Sequence, residues 1–216
     1  MAFTKELPED VTKAIAEQVA RHIEPSPSPS PSPSPGTEHF LALDENAPPE
    51  NQNLNLGESF EVWRLVPNAM AELGEGVRDL HQLARRSGIW HHQIRQNMKA
   101  TGFAHSKPLG ADAESWALRK VFESEFAEQI DQAIDNVEGQ QIPDSVEVRL
   151  LSVSFQHVDA FWFITEDEAQ SQWNNRIMII RSSSSLPEFG PLQLMSSEAF
   201  LDILARRRGG MGISFE

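Results

Sequence analysis

The chain has 216 residues, 39% of them hydrophobic, no cysteine, and a formal net charge of −14 at neutral pH. The missing cysteine excludes disulfides, zinc–thiolate sites and a thiol nucleophile. No stretch approaches the ~20 consecutive apolar residues of a membrane span, and an acidic balance of this size works against non-specific binding to nucleic acid or anionic lipid.

The N-terminus, MAFTKELPED, lacks the basic and apolar regions of a secretory signal. The expectation is a cytoplasmic protein with one domain of roughly 150–180 residues and an appendage.

Residues 1–24 read as an amphipathic helical head. Val11, Ile15, Val19 and Ile23 recur every fourth residue, Leu7 stands one step earlier, and Glu9, Asp10, Lys13, Glu17 and Arg21 flank them. That spacing predicts a helix with a single apolar stripe. Pro8 suits the first helical position, Glu9 and Asp10 complement the positive end of the helix dipole, and Pro25 stops the helix. An isolated helix of about 16 residues is marginal in water, so its stripe needs a surface. That surface is a groove on a protein partner, or the helix's own copy in another subunit, or the chain's own body, or nothing at all. We favour the partner, which makes Val11, Ile15, Val19 and Ile23 a partner-binding set. The stripe is narrow and lacks Trp, Phe or a Lys/Arg-rich flank, which argues against a membrane-surface helix.

From Pro25 to Pro35, proline and serine alternate without a break, and Gly36 follows. Proline fixes φ and removes a donor, so the run can join neither helix nor sheet. It predicts a polyproline II spacer of about 30–35 Å. Residues 37–57 are polar and acidic and predict an irregular connection, with an α+β body over 58–216.

Within the body, residues 59–66 fit a strand or the first turn of a helix. Asn68 to Ser87 predict one helix, weakened by Gly74 and Gly76 and ended by Gly88. Residues 89–106 admit two readings. Alternation of Trp90, His92 and Ile94 with His91, Gln93 and Arg95 predicts a hairpin whose second strand carries Phe103 and His105. The Ala84, Gly88 and Ile94 spacing instead resembles a helix-turn-helix over residues 79–99, with Arg95 and Lys99 on its second helix. We favour the hairpin.

Asp112 to Asn136 predict a long helix, with Trp116, Leu118, Val121, Phe122, Phe126 and Ile130 on its apolar face and Gly139 at its end. Residues 146–155 predict a strand whose alternation slips at Leu150–Leu151, the mark of a bulge. His157 to Thr165, apolar on both faces, predict a central strand. Arg176–Arg181 and Leu192–Met195 predict two more, the last at an edge. Ser196 or Ser197 caps a final helix, Glu198–Arg207, with Phe200, Leu201 and Leu204 inward. The sum is an α+β fold with an antiparallel or mixed sheet and helices packed on one side.

Residues 78–107 hold Arg78, Arg85, Arg86, Arg95, Lys99 and Lys107 against Asp79 alone, with four histidines, whereas residues 37–61 hold six acids and no Lys or Arg. We take Arg85, Arg86, His91, Arg95 and Lys99 as a possible surface for an anion or an acidic partner; nucleic acid and the chain's own acidic segment are the other candidates. His91, His92 and His105 form the one cluster with metal-ligand chemistry, but neighbouring strand residues point to opposite faces, and no metal is expected. Ser182–Ser185 with Glu188 or His157, the acidic run Glu166–Glu168, and Gly209–Gly212 after Arg206–Arg208 fit ordinary loop and helix-end chemistry better than catalysis. No catalytic residue and no cofactor is predicted. The function this favours is a non-enzymatic adaptor or regulator. A DNA-binding regulator, or an enzyme whose site forms only in three dimensions, are the alternatives.

Overall fold

A computed structural model describes residues 7–23, 54–97, 99–109, 115–123, 125–140, 142–183 and 186–208. The Pro-Ser run, the acidic stretch up to residue 53 and the Gly-rich tail lie outside the described residues. In chain order the elements are α1 (Glu9–Ile23), β1 (Leu54–Leu65), α2 (Ala69–Gly74), α3 (Leu80–Leu83), β2 (Ala84–Gln96), β3 (Lys99–Leu109) and β4 (Ser115–Glu123). Then follow α4 (Glu125–Gly139), β5 (Glu147–Val153), β6 (Val158–Ile164), β7 (Arg176–Arg181), β8 (Leu194–Ser196) and α5 (Ser197–Arg208). The strands form a mixed sheet in the order β4-β3-β2-β1-β5-β6-β7-β8. β1 and β5 run parallel, with Val62 opposite Leu150. The hairpin-linked neighbours β2–β3, β3–β4, β5–β6 and β6–β7 are antiparallel. The fold is therefore α+β with a mixed sheet.

The chain divides into two compact units, one from residues 60–87 and 132–216, the other from 6–59 and 88–131. In the first, β6 is buried along its whole length, as its two-sided apolarity predicts. One face of its strands, with Leu151, Val153, Ala160, Trp162, Ile177 and Ile179, packs on Leu73 of α2, Leu80 and Leu83 of α3, and Phe200, Leu201 and Leu204 of α5. Ser196 caps α5 by accepting a hydrogen bond from the main-chain N–H of Ala199, 3.1 Å away.

Two expectations fail in this unit. β5 has no bulge: its register with β6 runs unbroken from Glu147 to Val153, and Leu150 and Leu151 are both buried. The slip in its alternation reflects a strand covered on both faces, where adjacent positions are apolar. The helix expected over 68–87 is two short ones. Gly76 adopts φ +96°, which ends the first, and β2 already begins at Ala84.

In the second unit β2 and β3 form the hairpin, turning at Asn97, with His91 opposite His105 and Gln93 opposite Phe103. The helix-turn-helix reading is overturned, because residues 84–96 are strand and α3 is a single four-residue turn. The long helix expected from Asp112 is also corrected: 115–123 is β4, and α4 starts at Glu125. A register shift between His105 and Ser106 places Lys120 opposite His105 but Leu118 opposite Ser106. That bulge brings Leu118 and Val121, three apart, to one face, so a strand imitates helical spacing.

Helices lie on both faces of this hairpin rather than on one side. Ile94 and Ala104 cluster with α1, while His91 and Phe103 meet Phe126 of α4, and adjacent strand positions face opposite ways.

Candidate functional site

The head helix forms as its spacing predicts, and its stripe is covered by the chain's own sheet. Val11, Ile15 and Val19 are 6, 0 and 0% exposed. They cluster with Ile94 and Ala104, and Leu7, Leu56, Trp116, Leu118 and Val121 close the rim. Full burial of one such side chain contributes about 1.5–3 kcal/mol, so the three hold α1 by several kcal/mol before its ordering is set against them. The side chain of Ile23 lies outside the described residues. Gln18, which the sequence did not single out, supplies the polar contact. Its Nε2 donates to the carbonyl of Trp116 at 3.2 Å, and its Oε1 accepts from the N–H of Leu118 at 3.1 Å. β4 ends the strand order, so Gln18 occupies main-chain groups of an edge strand.

The basic residues are largely satisfied inside the chain. Arg85 donates to the carbonyls of His81, Gln82 and Ala84 at 2.8–3.1 Å, closing the end of α3. Arg86 lies 3.5 Å from a carboxylate oxygen of Glu61 and above the ring of Trp63. Arg95 pairs with Asp131 of α4, and Gln93 binds both, donating to Asp131 at 2.9 Å and accepting from Arg95 at 3.0 Å. Lys99 reaches Glu128, also on α4, at 3.1 Å. Arg85 and Arg86 belong to one unit and Arg95 and Lys99 to the other. His91 is fully buried, which removes it from any surface. The cations that look like an island along the chain are spread over separate local pairings.

The histidines separate as strand alternation requires. His91 Nδ1 lies 3.3 Å from His105 Nε2, and the His91 ring stacks on Phe103 at 4.6 Å. His92, on the α1 side of β2, is fully buried, with Nδ1 2.9 Å from the hydroxyl of Ser59 and Nε2 2.6 Å from that of Ser106. Burial, and secondarily the charge of His105, lower its pKa from 6.5 to about 3, so the ring is neutral. Among the described residues no group of three or more metal-ligating side chains comes together.

Of the remaining candidates, Ser182 and Asp167 make local hydrogen bonds. Ser182 donates to the carbonyl of Phe189 at 2.7 Å. His157 sits exposed at φ +53°, and Asp167 accepts from the N–H of Ala169 to cap a 3-10 turn. Ser184, Ser185 and Gly209–Gly212 lie outside the described residues. An open cleft of about 530 Å³ is lined by Leu73, Gly74, Arg78, Asp202, Ala205 and Arg206. Its Arg78 is committed to Asp202 and to the carbonyls of Leu73 and Val77. In the second unit, the seat of α1 combines an apolar cluster with two hydrogen bonds from Gln18 to the main chain of β4. Compared with protein-family models, with curated proteins and with solved structures, the chain has no match.

Proposed function

We propose that this is a non-enzymatic binding protein of the adaptor or regulatory kind, in which α1 is a docking helix that passes from its own sheet to a protein partner through the Pro-Ser tether. One observation carries the reading. Among the described residues, α1 meets the rest of the chain through an apolar stripe and the side chain of Gln18, and residues 24–53, including the Pro-Ser run, separate it in sequence from β1. A helix attached in this way leaves as a unit, without breaking a strand pairing.

The tether also sets the terms of exchange. A linked helix meets its own seat at an effective concentration of order mM. A partner present at micromolar levels must therefore bind α1 about a thousandfold more tightly than the seat does. A cytoplasmic setting belongs to the proposal; among the described residues no helix is long and apolar enough to cross a membrane.

The test compares capture of proteins from the host's lysate by the full chain, by a chain starting at Gly36, and by the full chain carrying Ile15→Asp. The reading expects a partner held by the first and lost from the other two. It fails if the body alone captures everything the full chain does.

A further inference from the structure

The contacts of α1 define what a helix seated on this face presents to it. It takes apolar side chains at i, i+4 and i+8, here Val11, Ile15 and Val19, against Ile94, Ala104 and their rim. At i+7 it takes a glutamine that donates to one main-chain carbonyl of β4 and accepts from the amide two residues on. An added strand would make the same kind of contacts to an edge. A helix shifted by one residue turns its stripe by about 100° and carries the amide away from Trp116 and Leu118, so Gln18 sets register as well as adding bonds.

We infer that this face is a helix-recognition site open to a second molecule, and that the second molecule is another copy of this chain. The inference rests on the reading of α1 as a detachable helix. α1 is the sequence shown to satisfy all four positions. Two copies that exchange their first helices cover both stripes and both faces again, in a closed two-fold pair. In the native chain the tether keeps each helix at home at micromolar concentration. Exchange takes over when the home contact is damaged on one side only.

The experiment uses two full-length variants. Ile15→Asp spoils the helix and leaves the face intact. Leu118→Glu, with Val121→Glu as a second version, spoils the rim of the face and leaves the helix intact. Circular dichroism and urea melts establish that each is folded. Mixed at 10–100 μM in the ultracentrifuge, the pair is expected to form a 1:1 complex at least tenfold tighter than either self-association. Adding Ile15→Asp to the rim variant should abolish it. Folded variants that stay monomeric when mixed overturn the inference. Hydrogen exchange of the Leu118 amide in the native chain, measured alongside, separates the two levels of the argument. Exchange through a local opening retains the detachable helix even if pairing fails, whereas exchange only through global unfolding removes both.

Discussion

Gln18 and Leu118 are 100 residues apart in sequence, and the side chain of the first accepts the main-chain N–H of the second at 3.1 Å. The same amide donates to Trp116, so one residue of the head protects the outer edge of the sheet. Edge strands invite pairing with other chains, and a side-chain amide that occupies their main-chain groups blunts that hazard.

Replacing Gln18 by Ala leaves both main-chain groups of β4 without this partner. We expect a loss of about 1–2 kcal/mol in docking, seen as roughly tenfold faster hydrogen exchange at Leu118. Gln18→Glu keeps the acceptor and loses the donor, so Leu118 should remain more protected in it than in Gln18→Ala.

The buried His92 makes stability pH-dependent. Its folded pKa, about 3, lies below the ordinary 6.5, so the neutral ring is a feature of the folded state. Unfolding takes up a proton at any pH between these values. Its contribution is full above about pH 6.5 and falls by up to ~1.4 kcal/mol per unit as pH drops toward 3. Urea midpoints at pH 7 and pH 5 check the sign. The His92 ring should show no imidazole titration by NMR between pH 8 and pH 5.

Asp131 holds Gln93 and Arg95 together. Arg95 and Asp131 are about one-third exposed, so their charge pairing is worth little, 0–1 kcal/mol. The buried amide of Gln93 matters more, because losing its acceptor costs about 1–3 kcal/mol. Asp131→Ala should therefore destabilise by about 1–3 kcal/mol in urea melts, and Asp131→Asn by less. Gly57→Ala reaches the same network from β1: its Cβ would collide with Gln93 Oε1 and press on Arg95 Nε. A double-mutant cycle with Asp131→Ala should then be non-additive.

Trp162 is fully buried, edge-on to Trp63 at 5.4 Å, with the guanidinium of Arg149 5.1 Å from its ring centroid. Trp162→Ala should cost about 3–5 kcal/mol and lower the thermal midpoint by several degrees. A loss below ~1 kcal/mol would contradict its place in the core.

Much of the fold was legible from the chain alone, where one periodicity ran without competition. The stripe Val11–Ile15–Val19 announced a helix, the unbroken apolar run at Phe161–Ile164 a central strand, and Ser196 with Phe200, Leu201 and Leu204 a capped final helix. The hairpin showed in the alternation of residues 90–95. The misreadings came where two physical causes leave the same trace. A bulge at β3–β4 gave residues of β4 a spacing of three, as a helix would, and a strand covered on both faces made β5 look slipped.

Sequence determined which faces are apolar, because that depends on the order of side chains along a backbone of known period. It did not determine what covers them. That the stripe of α1 rests on Ile94 and Ala104, that Gln18 reaches Leu118, and that Arg95 and Lys99 meet acids of α4 depend on contacts between distant residues. Such contacts leave no local periodicity behind, since each is selected by the closing of the whole sheet and not by its neighbours in the chain.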